Sequence, residues 1–154
     1  MEIIEYESRY REDFKRLNLE WLDKYGLTES HDLEILNDPE GTLIITGGCI
    51  FLAMDGGQVT GTAGFSKKNE KEYELVKMSV HPAYQGRGIS KHLLDRCLDE
   101  ARKTKAEKVS LFSNSQLQAA LKLYEKYGFH SVAVTDTPML TADVKMELSL
   151  SNKQ

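Results

Sequence analysis

Between Glu74 and Val80, apolar and polar residues alternate. Val76, Met78 and Val80 fall on one side, Lys77 and Ser79 on the other, which is the period of a strand. From Ile89 the period lengthens. Ile89, Leu93 and Cys97, with Leu94, Leu98 and Ala101 beside them, form one stripe of a helix that runs to about Lys103. Pro82 cannot donate to a sheet ladder, so the strand stops near it. Gln85-Gly86-Arg87-Gly88 fills the junction between the two periods.

The same reading orders the rest of the chain. Ile3 to Tyr6 is a short strand. Ser8 is placed to cap a helix in which Phe14, Leu17, Trp21, Leu22 and Tyr25 recur at helical spacing, and Gly26 ends it. A shorter helix begins at Thr28-Glu29-Ser30 and runs through Leu36, with Ser30 as its candidate cap, and Asn37 to Gly41 is a turn cluster. Thr42–Ile45, Cys49–Met54 and Gln58–Ser66 read as strands, with Gly47-Gly48 and the hairpin signal Asp55-Gly56-Gly57 between them. After a polar turn at Lys67–Lys71 comes the strand Tyr73–Val80, so Thr42 to Val80 reads as an antiparallel meander.

Beyond the central helix, Lys108–Phe112 is a strand. Ser113-Asn114-Ser115 is a loop and cap for a helix from Gln116 to Tyr127, ended by Gly128. Phe129–Val134 is a strand, Thr135–Met139 a loop, Val144–Leu148 a final strand and Ser149–Gln154 a polar tail. With neither repeat nor linker, the pattern predicts one α/β (α+β) domain over residues 1–150, followed by a polar tail at 151–154.

Composition narrows the classes of partner. The chain has 154 residues, enough for one domain with a core, and its 40% hydrophobic and 29% charged residues are ordinary for a globular protein. A net charge of −4 argues against broad nucleic-acid binding. No apolar run approaches the ~20 residues of a membrane span, and Met1-Glu2-Ile3-Ile4-Glu5 lacks the basic start of a signal peptide. Cys49 and Cys97 have no metal-ligand spacing and the four histidines do not cluster, so no metal is expected. A reduced, cytoplasmic protein is the default.

The glycine junction carries the first chemical signal. Glycines allow backbone conformations closed to other residues and bring N–H groups close to a ligand. The first N–H groups of a helix have no internal partner and lie at the positive end of its dipole, so a phosphate is stabilised there. Arg87 and Lys91 would add charge from the side. The competing reading is that Gly86 and Gly88 only turn the chain. Gly-x-x-x-x-Gly-Lys-Ser/Thr is absent, and Lys91 stands where Gly-x-Gly-x-x-Gly needs its third glycine.

Gln85-Gly86-Arg87-Gly88-Ile89-Ser90 resembles the Arg/Gln-x-x-Gly-x-Gly/Ala signature of the GNAT N-acetyltransferases, and Lys77–Pro82 matches the strand that leads into it. Ala120-Leu121-Lys122-Leu123-Tyr124-Glu125-Lys126-Tyr127-Gly128-Phe129 resembles the family's second signature, Ala-x-x-Leu-Tyr-x-x-x-Gly-Phe. Ser90 departs from the pattern, where the family prefers Gly or Ala.

The resemblance implies a mixed, mostly antiparallel central sheet flanked by helices, in which Val76–Val80 and Val109–Phe112 splay apart. It implies acetyl-CoA as co-substrate. The pantetheine arm would lie in the gap against Met78, Ser79 and Val80, and the pyrophosphate on Gln85, Gly86, Arg87, Gly88, Ile89 and Ser90, with Lys91 beside them. An N–H near Met78 would polarise the thioester carbonyl. Glu74, eleven residues before Gln85, resembles the general base of histone-type members, its other reading being an exposed strand residue. Tyr124 matches the tyrosine that protonates the departing thiolate, its other reading being a core residue. The family often carries a cofactor-binding Asn seven residues before that tyrosine. Leu117 stands there instead, and Asn114 is the candidate substitute, or a helix cap.

The implied activity is direct transfer of an acetyl group to a primary amine in a ternary complex. The acceptor, a small molecule or a protein amine, would sit among Glu74, Asn18, Trp21, Tyr25 and the loop Asp136–Met139. A homodimer is left open, and nucleic acid and membrane are not expected partners. A non-catalytic acyl-CoA-binding regulatory module is the alternative, and an unrelated nucleotide-binding α/β protein is a third reading.

Overall fold

The computed structural model describes residues 1–135 and 140–150. The strands are β1 (Glu2–Glu5), β2 (Cys49–Asp55), β3 (Gln58–Asn69), β4 (Glu72–Val80), β5 (Lys108–Ser113), β6 (His130–Val132) and β7 (Val144–Ser149). The helices are α1 (Arg11–Lys24), α2 (Ser30–Asn37), α3 (Ile89–Lys103) and α4 (Gln118–Lys126). One seven-stranded sheet has the order β1-β2-β3-β4-β5-β7-β6. Among the described residues only β4 and β5 are parallel neighbours, and every other pair is antiparallel. This is the mixed, mostly antiparallel sheet that the resemblance implies.

Both faces of the sheet are covered. Phe51, Ala53, Phe65, Tyr73 and Leu75 pack with Leu93, Leu94, Cys97 and Leu98 of α3. Ile50, Leu52 and Met54 pack with Phe14, Leu17 and Leu22 of α1 and with Ile35 and Leu36 of α2. Burial on both sides explains why Ile50–Met54 is a continuous apolar run, because in a half-exposed strand every second position faces water. At the tip of the β2–β3 hairpin, Gly56 and Gly57 take φ of +58° and +80° between the paired Asp55 and Gln58, a two-residue turn that needs left-handed residues.

Several local expectations are corrected. Thr42–Ile45 is not a strand: Glu40–Ile44 forms a π-helical turn. The Asp38 carbonyl accepts from Thr42 N–H at 3.0 Å and its carboxylate from Gly41 N–H at 3.1 Å, which winds the chain before it can pair. Only Leu43 enters the core, while Ile45 is 82% exposed, so the apolar run has no second strand to meet. Ser8 does not cap α1; it opens a short 3-10 turn at Ser8–Tyr10. Ser30 does not cap α2; the Asp32 carboxylate instead receives Glu29 N–H at 2.9 Å.

The polar turn before β4 is shorter than expected, because Asn69 Oδ1 accepts Lys71 N–H at 2.9 Å and closes it within Glu70–Lys71. β6 is limited to three residues. Leu150 belongs to the core and donates its N–H to Glu107 O at 2.8 Å, so the polar tail does not begin at Ser149. The expected loop at Asp136–Met139 and the tail at 151–154 lie outside the described residues. Among the described residues no helix is long and apolar enough to cross a membrane, and no group of three or more His, Cys, Asp or Glu converges on one point.

Candidate active site between the parted strands

β4 pairs with β5 from Glu72↔Lys108 to Leu75↔Leu111 and no further. β5 goes on pairing with β7 as far as Ser113↔Val144, while β4 goes on pairing with β3 as far as Val80↔Gly61. The strands therefore part after Leu75 and Leu111. The gap is shorter on the β5 side than expected: Val109–Leu111 stay paired, and Phe112 and Ser113 face the opening.

A β-bulge bends β4 where the gap begins. Val76 pairs with Gly64 and Ser79 with Thr62, so Ala63 alone lies opposite Lys77 and Met78. Lys77 has φ of +52°, a conformation that costs a side-chain-bearing residue about 1–3 kcal/mol and persists only when its surroundings impose it. Two contacts do so. Thr62 Oγ1 donates to the Lys77 carbonyl at 2.8 Å, and the Lys77 ammonium pairs with the Asp32 carboxylate on α2. The inserted residue also breaks the expected alternation. Val76 packs with the α1–α2 cluster, whereas Met78 and Val80 pack with the α3 cluster. The Ser79 hydroxyl donates to Leu17 O at 3.1 Å, so only its main chain is left for a ligand.

The parted strands open a cavity of about 720 Å³. One wall is the glycine turn. A 3-10 turn at Pro82–Tyr84, in which His81 Nδ1 accepts Ala83 N–H at 3.1 Å, leads into Gly86 and Gly88 with φ of +82° and +77°. A Cβ at either glycine would meet nothing within 4 Å, so the requirement for glycine is one of backbone conformation, not space. Gly88 precedes the first residue of α3, and no side chain caps this helix. Its first N–H groups stand beside Gln85, Gly86, Ile89, Ser90 and Lys91 on the cavity wall, suited to an anion. Arg87 is not on that wall: its guanidinium lies over the Tyr84 ring, 4.9 Å from the centroid.

Tyr124 reaches the cavity from α4. It is 7% exposed and packs against Phe129 with centroids 5.8 Å apart. Burial pushes its hydroxyl pKa up, so the group is a neutral proton donor at ordinary pH. Among the described residues no hydrogen bond engages this hydroxyl.

Glu74 is not an exposed strand residue. It is 8% exposed, lines the cavity and sits 3.2 Å from Lys68 Nζ. Glu72, two residues earlier, is engaged differently, accepting from the Ser110 hydroxyl at 2.8 Å. Asn114 borders the cavity, but both ends of its amide are held within the protein. Nδ2 donates to Thr141 O at 2.7 Å and Oδ1 accepts Gln116 N–H at 2.9 Å. Ser115 turns to Asp143, at 2.8 Å, so neither residue caps α4, which begins only at Gln118.

Trp21 and Tyr25 line the cavity on the α1 side, whereas Asn18, expected beside them, is fully buried and does not line it. Asp32 and Lys77 are the polar wall that the alternation did not reveal, with side chains 3% and 7% exposed. The one available signal for Asp32 was its place three residues after Glu29, the spacing of a helix-start carboxylate. Glu29 also fastens the β6–β7 connection at the cavity edge, accepting N–H groups from Leu140 at 2.8 Å and Thr141 at 2.7 Å.

Comparison with known proteins gives this geometry a family. Residues 7–129 match the acetyltransferase (GNAT) family. The chain is 41% identical over 85 residues to N-alpha-acetyltransferase RimI of Mycobacterium tuberculosis, covering 53% of this chain and 52% of that protein. It is 37% identical over 92 residues to the N-acetylaspartate synthetase of Danio rerio, covering 59% of this chain and 33% of that protein. The chain thus spans between a third and about half of the length of these two relatives. A putative acetyltransferase from Salmonella typhimurium, solved with acetyl-CoA, has the same fold, with a TM-score of 0.78 and 23% identity over 100% of this chain and 96% of that one. The match over most of the chain, on a sheet parted beside a glycine turn, places this protein in the GNAT acetyltransferase family.

Proposed function

We infer that the chain is an acetyl-CoA-dependent N-acetyltransferase, moving an acetyl group to a primary amine by direct transfer in a ternary complex. The observation that carries this reading is a single cavity holding three things. They are the unpaired main-chain edge of Val76–Val80, the uncapped start of α3 and Tyr124 on the wall.

The residues fit the group they would hold. An unpaired strand edge can bond an amide-bearing arm as it would bond another strand, which suits pantetheine against Met78, Ser79 and Val80. The uncapped N–H groups from Gln85 to Ser90, with Lys91 beside them, suit a pyrophosphate. Arg87 and Asn114, both engaged elsewhere, would join only by giving up their present partners. Acetyl-CoA supplies the acyl group as a thioester and departs as the thiol.

Each step then falls to a named group. Trp21 and Tyr25 enclose the acceptor from α1. The Glu74 carboxylate takes the proton that the amine loses, directly or through water. A main-chain N–H at the bulge stabilises the negative charge that develops on the carbonyl oxygen. Tyr124, kept protonated by burial, gives its proton to the leaving sulfur.

The test is calorimetric titration with acetyl-CoA, followed by thiol release across free amino acids, polyamines, lysine peptides and peptide N-termini. Binding with release from one amine class supports the reading and identifies the acceptor class. Binding with no release from any amine favours a non-catalytic acyl-CoA-binding module. Absence of acetyl-CoA binding overturns the proposal.

A further inference from the structure

The bulge that aims the main chain of β4 is itself shaped from outside β4. Trp21 Nε1 donates to Asn18 Oδ1 at 3.4 Å. An indole N–H can only donate, so the amide oxygen of Asn18 faces it. The amide nitrogen then gives its two hydrogens to Phe14 O, at 2.9 Å, and to Thr62 Oγ1, at 3.0 Å. The Thr62 hydroxyl is the acceptor there, so its single hydrogen goes to the Lys77 carbonyl at 2.8 Å. Direction is therefore defined at each link, from Trp21 on the cavity wall through Asn18 and Thr62 to the bulge. Asn18 and Thr62 are fully buried, so water does not compete for these bonds.

The Lys77 carbonyl and the Met78 N–H belong to one peptide plane, and this peptide bond is trans. In a trans peptide the two groups point in opposite directions. A carbonyl fixed toward Thr62 on β3 leaves the Met78 N–H directed away from β3, on the side from which β5 has parted. Turning that plane would move the donor off its target.

We propose that Thr62, oriented by Asn18, is a positioning residue that aims the Met78 N–H at the acyl carbonyl during transfer. The proposal rests on the acetyltransferase reading for the identity of that target. The aim of the Met78 N–H can be measured without it.

Thr62→Val removes the hydroxyl and keeps the shape. Thr62→Ser keeps the hydroxyl and loses a buried methyl group, so it is the variant that a purely packing role would penalise. With acetyl-CoA and an amine that the wild type accepts, Thr62→Val should lower kcat by roughly ten- to a hundredfold, the scale of a misplaced reacting group. Its KM for the amine should stay within about twofold, and Thr62→Ser should retain kcat to about the same precision. In amide NMR spectra of the free protein, the Met78 signal should shift in Thr62→Val and stay in place in Thr62→Ser. An unshifted Met78 amide in Thr62→Val, or equal losses of kcat in both variants, would overturn the proposal. If the wild type does not bind acetyl-CoA, the functional reading fails, and the amide comparison still decides whether Thr62 sets the aim of Met78.

Discussion

Leu75 of β4 pairs with Leu111 of β5, and no residue of β4 beyond it pairs with β5. Both side chains are buried in the core on the α3 side of the sheet, so the joint is held closed at this point. Two residues further along, the bulge at Lys77 bends β4 with β3, while β5 continues along β7. The cavity therefore opens beyond a closed joint, and its lining includes both the β4 edge and the glycine turn.

Tyr124→Phe separates chemistry from binding. The ring and its packing against Phe129 are kept and only the proton donor is lost. Turnover should fall by about a hundredfold, the lower range for a general acid, while acetyl-CoA affinity measured by calorimetry changes less than about twofold. An unchanged kcat would remove the acid role from Tyr124.

Gly88→Ala tests the seat for the phosphates. The left-handed backbone at φ +77° costs alanine about 1–2 kcal/mol, although a Cβ finds open space. Stability should drop by about that amount and acetyl-CoA affinity should fall as the turn relaxes. Gly56→Ala, at φ +58° in the β2–β3 hairpin, is the control, with a similar stability loss and unchanged affinity. Equal affinity in both variants would show that the Gly88 turn is not the seat.

Asp32→Asn leaves the Lys77 ammonium buried without a counter-charge. Breaking a buried pair on one side costs about 3–5 kcal/mol, and replacing both partners by apolar residues recovers much of it. Urea denaturation should therefore rank wild type above the Asp32→Leu, Lys77→Met double variant, and that variant above Asp32→Asn. A double variant no more stable than Asp32→Asn would mean that the charge pair is not the source of the loss.

Alkali should loosen the fold well before pH 12. Burial, then the neighbouring Glu40 carboxylate, raises Tyr6 to about 12. Burial, then Asp95, raises Tyr127 to about 12, and burial with the Glu100 charge raises Cys49 to about 12. Above the ordinary phenol pKa of ~10, the unfolded chain loses protons that the folded chain retains. Stability from the two tyrosines is complete below that pH and that from Cys49 below the ordinary thiol pKa of ~8.5, and each falls as pH rises toward 12. Melting temperatures taken from pH 8 to about pH 11.5 should decline steeply at the upper end, and less steeply in Tyr127→Phe. A flat profile would contradict the assignment.

Much of this was legible along the chain. The switch from alternation at Val76–Val80 to the stripe Ile89–Ala101, with Gly86 and Gly88 between them, located the glycine turn and the start of α3. Local rules suffice there because a glycine turn and the start of a helix are made by consecutive residues. The same rules misread Thr42–Ile45, since a short apolar run carries no signal of whether another strand will be beside it. They also missed Lys77 and Asp32, because a bulge is created by the register between two strands, and a charge looks like a surface residue until its partner is found.

The sequence by itself determined the element order outside Thr42–Ile45, the glycine turn and the helix that carries Tyr124, because hydrophobic period and backbone permissiveness are properties of neighbouring residues. Only the tertiary structure decided where β4 and β5 part, that Glu74 is buried, and that Asn18 stands behind the cavity and not in it. Those outcomes depend on contacts between residues distant in sequence, such as Thr62 with Lys77, 15 positions apart, and Asp32 with Lys77, 45 apart, whose energies exist only once the sheet has closed around them.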